Sequence, residues 1–141
     1  MLDKRVREER EIRLEGVAHM LDERFKRAEA DEIKAFFEQF YARVPTEDVN
    51  EASAENLYGA ALSLWKFAAQ RTADQTKLRV YNPRMEEHGW KSPHTIVEIV
   101  TEDMPFLVDS ITSNLNQWDC QVHLAIHPVV RLRRGDNGAR E

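Results

Sequence analysis

Residues 95–111, Thr-Ile-Val-Glu-Ile-Val-Thr-Glu-Asp-Met-Pro-Phe-Leu-Val-Asp-Ser-Ile, constrain the fold more than any other stretch of the chain. Their first half is dense in β-branched residues, the composition of a buried strand. Asp103 suits a helix N-cap, and Pro105 suits a first helical turn, where its missing N–H costs nothing. Leu107, Ile111, Leu115 and Trp118 then recur at helical spacing and share one face. Beyond them, Val122, Leu124, Ile126, Val130 and Leu132 alternate with His123, Ala125, His127, Val129, Arg131 and Arg133, a strand pattern over residues 121–134. Pro128 cannot donate to a ladder and marks a bulge or an edge there. The order predicted is strand, tight acidic-Pro turn, helix, strand.

Upstream, the periodicity is helical. Residues 2–30 hold no Pro and a single Gly, and predict one long helix whose first dozen residues are a charged end supported by i,i+4 ion pairs. A coiled-coil partner face is the other use of that charged helix. Asp31 is placed to cap a second helix over residues 32–44, with Phe36, Phe37, Phe40, Tyr41 and Val44 as a core-facing stripe that Pro45 closes. Residues 46–50 suit a short helical turn. Ser53 caps a helix predicted over residues 54–71, whose Leu57, Leu64 and Trp65 should meet that stripe. Three helices then form a small bundle.

Residues 77–82 alternate, with Leu78 and Val80 on one face and Lys77, Arg79 and Tyr81 on the other, as in a half-exposed strand. A loop is expected over residues 84–93. Its Glu86, Glu87 and His88 are metal-ligating types, but no further ligand stands at a defining spacing, so a solvated loop is the better reading. His123 and His127 would lie ~13 Å apart on a strand, too far to share an ion. No metal site is therefore assigned. Gly135-Asp136-Asn137-Gly138 is a hairpin turn signal. Only Ala139, Arg140 and Glu141 follow, so the sequence reads as a piece of a larger protein.

Composition excludes several classes. The net charge is −5 with acids and bases interspersed, which argues against a nucleic-acid binder. No run approaches the ~20 apolar residues of a membrane span. One cysteine, Cys120, rules out an internal disulfide framework and fits a reducing, cytoplasmic setting. There is no Gly-rich phosphate loop, paired-Cys motif or nucleophile elbow, so no catalytic residue is assigned. A small enzyme built on Glu87, His88 and His94 is the least supported reading.

At Asp103-Met-Pro-Phe-Leu-Val-Asp-Ser-Ile111 the chain resembles the acidic-x-Pro-Gly-Leu turn of ACT regulatory domains. Three blocks more specifically resemble the N-terminal region of the large bacterial NAD-specific glutamate dehydrogenases. They are Asn56-Leu-Tyr-Gly-Ala-Ala-Leu-Ser-Leu-Trp65; Glu86-Glu-His-Gly-Trp90 with Ser92-Pro-His-Thr95; and the run from Val97 to Ser110 with His123-Leu-Ala-Ile-His-Pro-Val129. The resemblance covers roughly residues 37–134, and the first thirty residues add little to it.

Periodicity gives a helical region over residues 1–76, and the resemblance implies a partial, ferredoxin-like (βαββαβ) ACT unit over residues 77–141, ending after its second core strand, so an α+β chain. It implies a non-catalytic regulatory or assembly part of an enzyme oxidising L-glutamate with NAD and water to 2-oxoglutarate, ammonia and NADH. NAD would belong to the parent enzyme, with no cofactor held by this part. The ACT pattern places a small amino acid at the first strand–helix turn, here Thr101, Glu102, Asp103, Met104, Pro105 and Phe106, where helix amides favour a carboxylate. Phe106 stands where the pattern usually has Gly. A purely structural turn capped by Asp103 is the other reading of the same residues. An unfinished sheet leaves open edges, so either another chain's strand or residues 77–82 should occupy one, and self-association is expected. A stand-alone amino-acid-sensing or protein-interaction module is the alternative.

Overall fold

The computed structural model describes residues 3–141 and contains six helices and two strands over that range. The first helix, α1 (Lys4–Arg24), is capped by the Asp3 side chain, which accepts from the Arg5 amide at 3.2 Å. Leu2, where the long helix was expected to begin, lies outside the described residues. The charged end does carry i,i+4 pairs, Lys4–Glu8 at 3.8 Å and Glu9–Arg13 at 3.1 Å. Being exposed, such pairs are worth a few tenths of a kcal/mol each, roughly.

The predicted continuation to Ala30 does not occur. Phe25 and Lys26 are extended, and α2 (Arg27–Tyr41) starts there, with Asp31 inside the helix rather than capping it. No Pro or Gly breaks the chain at this point, and Lys26 offers no side-chain cap. The cause is tertiary. Leu21, Ala30 and Ile33 are each 0% exposed, and a reversal at Phe25 lets both helices bury them in one core. Packing overrides the missing local signal.

After Val44 come α3 (Thr46–Glu51) and α4 (Ala54–Phe67). Ser53 caps α4 as expected, its hydroxyl accepting from the Asn56 amide at 3.1 Å. The helix stops at Phe67, short of the expected Arg71. The aromatic stripe of α2 meets α4 directly: Phe36 and Trp65 rings lie 5.3 Å apart, Phe37 and Tyr58 6.3 Å. Leu57 joins them in the core, while Leu64 is half-buried at its margin. Buried Tyr41 donates its hydroxyl to the Leu57 carbonyl at 2.5 Å, so its polar end is satisfied.

The sheet has two antiparallel strands, β1 (Lys77–Tyr81) and β2 (Ile96–Val100), with Arg79 opposite Glu98 and Val80 opposite Val97. Of the two expected partners for β2, the chain's own residues 77–81 therefore take one edge. The faces are disposed unusually. Lys77, Arg79, Tyr81 and Glu98 turn toward α4, whereas Leu78 and Val80 are 62% and 60% exposed. Between the strands the predicted loop contains a helical turn, α5 (Met85–His88), ended by left-handed Gly89. Trp90 packs so closely on Gly59 that a Cβ added there would lie 2.4 Å from the Trp90 Cβ.

The last helix is α6 (Leu107–Gln117). Its Leu107, Ile111 and Leu115 are half-buried, but Trp118 falls at the helix end and is 79% exposed, not on the shared face predicted. The expected strand over residues 121–134 is not formed. A strand needs a ladder partner, and here Ile126 and Val130 lie instead against the helical core while Leu124 and Leu132 stay exposed. The mixed helix-and-sheet class is as expected, with only two strands of the anticipated sheet in place. The Gly135–Gly138 turn does close: Gly138 N–H bonds the Gly135 carbonyl at 2.9 Å and Glu141 N–H the Arg133 carbonyl at 2.9 Å. Among the described residues no helix is long and apolar enough to cross a membrane.

Candidate functional site

The turn that carries the ligand hypothesis leaves the end of β2. Thr101 is half-buried and shares a hydroxyl–hydroxyl bond of 3.1 Å with Thr76, tying the turn's first residue back to the start of β1. Glu102, Asp103, Met104, Pro105 and Phe106 are all exposed. Asp103 does not cap α6. Phe106 takes the N-cap position with φ 62°, ψ 13°, and no side chain caps the helix. The reason is the backbone path: the chain enters α6 through a left-handed residue, which sets Asp103 too far upstream. Left-handed backbone costs a non-glycine residue about 1–2 kcal/mol. That position is the one where the resembled ACT pattern carries Gly, so its conformation persists without the residue that favours it. The first amides of α6 are thus uncapped by protein side chains and face the turn.

A second polar site, unsuspected from the sequence, lies between α4 and the β1–α5 corner. Glu98 is only 7% exposed and receives two nitrogens of Arg79, Nε at 2.8 Å and a terminal nitrogen in a still closer contact. The same guanidinium donates to the Ser63 hydroxyl at 2.7 Å, and Ser63 and Tyr81 hydroxyls stand 3.2 Å apart. Arg79 also lies over the Phe67 and Tyr81 rings, at 4.7 and 4.4 Å. Burial pushes the Glu98 carboxyl above the usual range, against the pull of Arg79. Burial likewise raises the Tyr81 phenol. The pair is thus a held, partly dehydrated network rather than a reactive dyad. Next to it opens a groove of about 550 Å³, lined among others by Arg24, Lys66, Arg79, Gly59, Leu62 and Phe67.

The sequence did carry a sign of this network. An acid inside the apolar run Ile96-Val-Glu-Ile-Val100 must find a cation once buried, and Arg79 alternates at the matching place in the other strand. Register was the missing information.

The remaining ligating side chains disperse. His88 Nδ1 accepts from the Arg84 amide at 2.9 Å and its ring packs on Tyr81. Glu87 pairs with Arg84 at 2.7 Å. His94 stacks on His123 with ring centres 4.3 Å apart. Among the described residues no three His, Cys, Asp or Glu side chains converge as a metal cage. Cys120 is free and exposed.

Comparison with known proteins gives a consistent set of relatives. The family profile described as "Glutamate dehydrogenase, ACT1 domain" matches residues 36–141. An NAD-specific glutamate dehydrogenase of Halomonas elongata is 42% identical over 123 residues, covering 87% of this chain and 8% of that protein. One from Pseudomonas aeruginosa is 36% identical over 107 residues, 76% of this chain and 7% of that protein. The chain therefore spans less than a tenth of the length of either relative. No solved structure matches significantly.

Proposed function

Because the chain belongs to the glutamate dehydrogenase ACT1 domain family, we propose that it is a non-catalytic regulatory and assembly part of an NAD-dependent glutamate dehydrogenase. The parent reaction would be oxidative deamination of L-glutamate with NAD, in the cytoplasm, the nicotinamide cofactor and the catalytic residues belonging to other parts of that enzyme. The observation that carries the assembly role is the outer face of the sheet. Leu78, Val80 and Val97 are 62%, 60% and 42% exposed on adjacent strands whose outer edges are unpaired among the described residues. Contiguous apolar surface on an open sheet is surface for another chain or another domain. The regulatory role rests on the turn from Thr101 to Phe106, whose uncapped helix amides suit the carboxylate of a small amino-acid effector.

The test uses a full-length relative bearing Lys at the positions of Leu78 and Val80. Expected is a smaller or more readily dissociating oligomer by sedimentation velocity, with turnover at saturating substrate largely kept. An unchanged oligomer and unchanged effector response would sink the proposal. So would glutamate-dependent NADH formation by the 141-residue chain alone.

A further inference from the structure

We infer that the groove between α4 and the β1–α5 corner binds a small dicarboxylate, through Arg24 and Lys66. Its volume of about 550 Å³ lies within the range of small-molecule sites. Its charges do not cancel. Arg79 is balanced by buried Glu98, and Glu87 by Arg84. Arg24 and Lys66, from two different helices, form no ion pair among the described residues. Two cations are left facing one cavity.

The Arg24 guanidinium is already positioned, resting 4.7 Å over the Tyr58 ring, so little side-chain freedom remains to be lost on binding. The Ser63 hydroxyl on the wall is held by Arg79 and can accept or donate. Buried Leu62 and half-buried Phe67 add apolar surface to an otherwise polar lining. Two separate cations lining one groove with Leu62 and Phe67 match a molecule with two anionic ends and an aliphatic stem. A compact phosphate would use the charge but not Leu62 and Phe67. Arg24 and Lys66 also sit in the last turns of α1 and α4, where cations complement the helix dipole. A dipole role alone predicts a small loss of stability in their absence and no ligand.

This site lies apart from the turn at Thr101–Phe106 and rests on the reading of the domain as ligand-responsive. Calorimetric titration of the 141-residue chain at low salt, with succinate, L-glutamate and inorganic phosphate in turn, tests it. Saturation by both dicarboxylates is expected, with phosphate weaker, and a loss of at least about tenfold in affinity in the Arg24→Gln/Lys66→Gln variant. Both side chains are exposed, so that variant should keep the parent circular dichroism and lose only the small stability of the dipole and ring contacts in its melt. No saturable heat with either dicarboxylate, equal binding of phosphate, or saturation by L-glutamate alone would each overturn the inference. Binding unchanged in the double variant would overturn it too. If that binding then vanished in a Phe106→Asp variant, whose carboxylate would occupy the same helix amides, the regulatory reading would stand while the groove would not.

Discussion

Replacing Glu98 by glutamine and Arg79 by leucine separates the two halves of the buried pair. A carboxyl that holds its proton longer in the folded than in the unfolded chain contributes stability fully present below the unfolded pKa. That contribution is lost as pH rises through the raised folded value. Wild type should therefore lose melting temperature relative to Glu98→Gln on going from about pH 4 to about pH 7. Arg79→Leu removes the group opposing that rise and leaves the carboxylate unpartnered, so it should steepen the same pH dependence. At neutral pH it should destabilise by about 2 kcal/mol, below the full buried-pair figure because Arg79 is partly exposed. Equal slopes in all three proteins would refute this account. At Phe106 the direction is opposite. Its φ of 62° strains an exposed residue, so Phe106→Gly should raise unfolding free energy by about 0.5–1 kcal/mol in urea titrations. The sequence pattern carried the identity of this turn but not its backbone. Asp-Met-Pro predicts a cap at Asp103 by local preference, whereas the cap position is decided by how the chain leaves β2.

Among the elements, α4 shows how distant sequence finishes a helix. Its last carbonyls are met by two arginines from the closing hairpin. Arg134 donates to Ala68 at 2.8 Å and Ala69 at 3.3 Å, and Arg140 to Trp65 at 2.8 Å. The Arg140 guanidinium also lies 3.4 Å from the centre of the Trp65 ring. Cations at a helix C-terminus complement its dipole, and a planar one can stack as it donates. Burial lowers the affinity of both guanidiniums for their protons, yet both stay charged throughout the accessible pH range. Arg140→Ala should cost about 1–2 kcal/mol, and Arg140→Lys should recover only part of it, since the ammonium keeps charge without the stacked plane. Full rescue by Lys in denaturant melts would reduce the contact to simple charge. The hairpin turn was legible from Gly-Asp-Asn-Gly. What its short returning arm does was not, because the partners lie 65 to 75 positions away and no periodicity encodes them. The alternating residues 121–134 mislead for the related reason that alternation specifies faces and not a ladder partner.

At the scale of the whole molecule, the family match and the hydrophobic core have different boundaries. The match begins at Phe36, within α2. The core takes Val17 and Leu21 from α1 and Ala30 and Ile33 from the part of α2 before that point. Arg10 of α1 also donates to the Tyr41 and Val44 carbonyls, at 2.6 and 2.8 Å, and Arg13 to the Ala52 carbonyl at 3.1 Å. Those bonds satisfy chain ends that α2 and α3 leave open. The charged helix end, which in sequence reads as solvated, is thus a set of caps with one exposed side. A chain reduced to residues 36–141 would keep the aromatic pairs of α2 and α4 but lose Val17, Leu21, Ala30 and Ile33 from the shared core. Burying a Val, Leu or Ile side chain is worth about 1.5–3 kcal/mol, and domains of this size have only about 5–15 kcal/mol of net stability. The shortened chain should therefore keep helical far-ultraviolet signal but lose its cooperative melt and bind a hydrophobic dye, as loosely packed states do. Val17→Ala/Leu21→Ala in the full chain should move in the same direction, costing about 3–6 kcal/mol. A shortened chain that melts as sharply as the parent would mean that the residues matching the family form a self-sufficient core. It would also mean that α1 only decorates it.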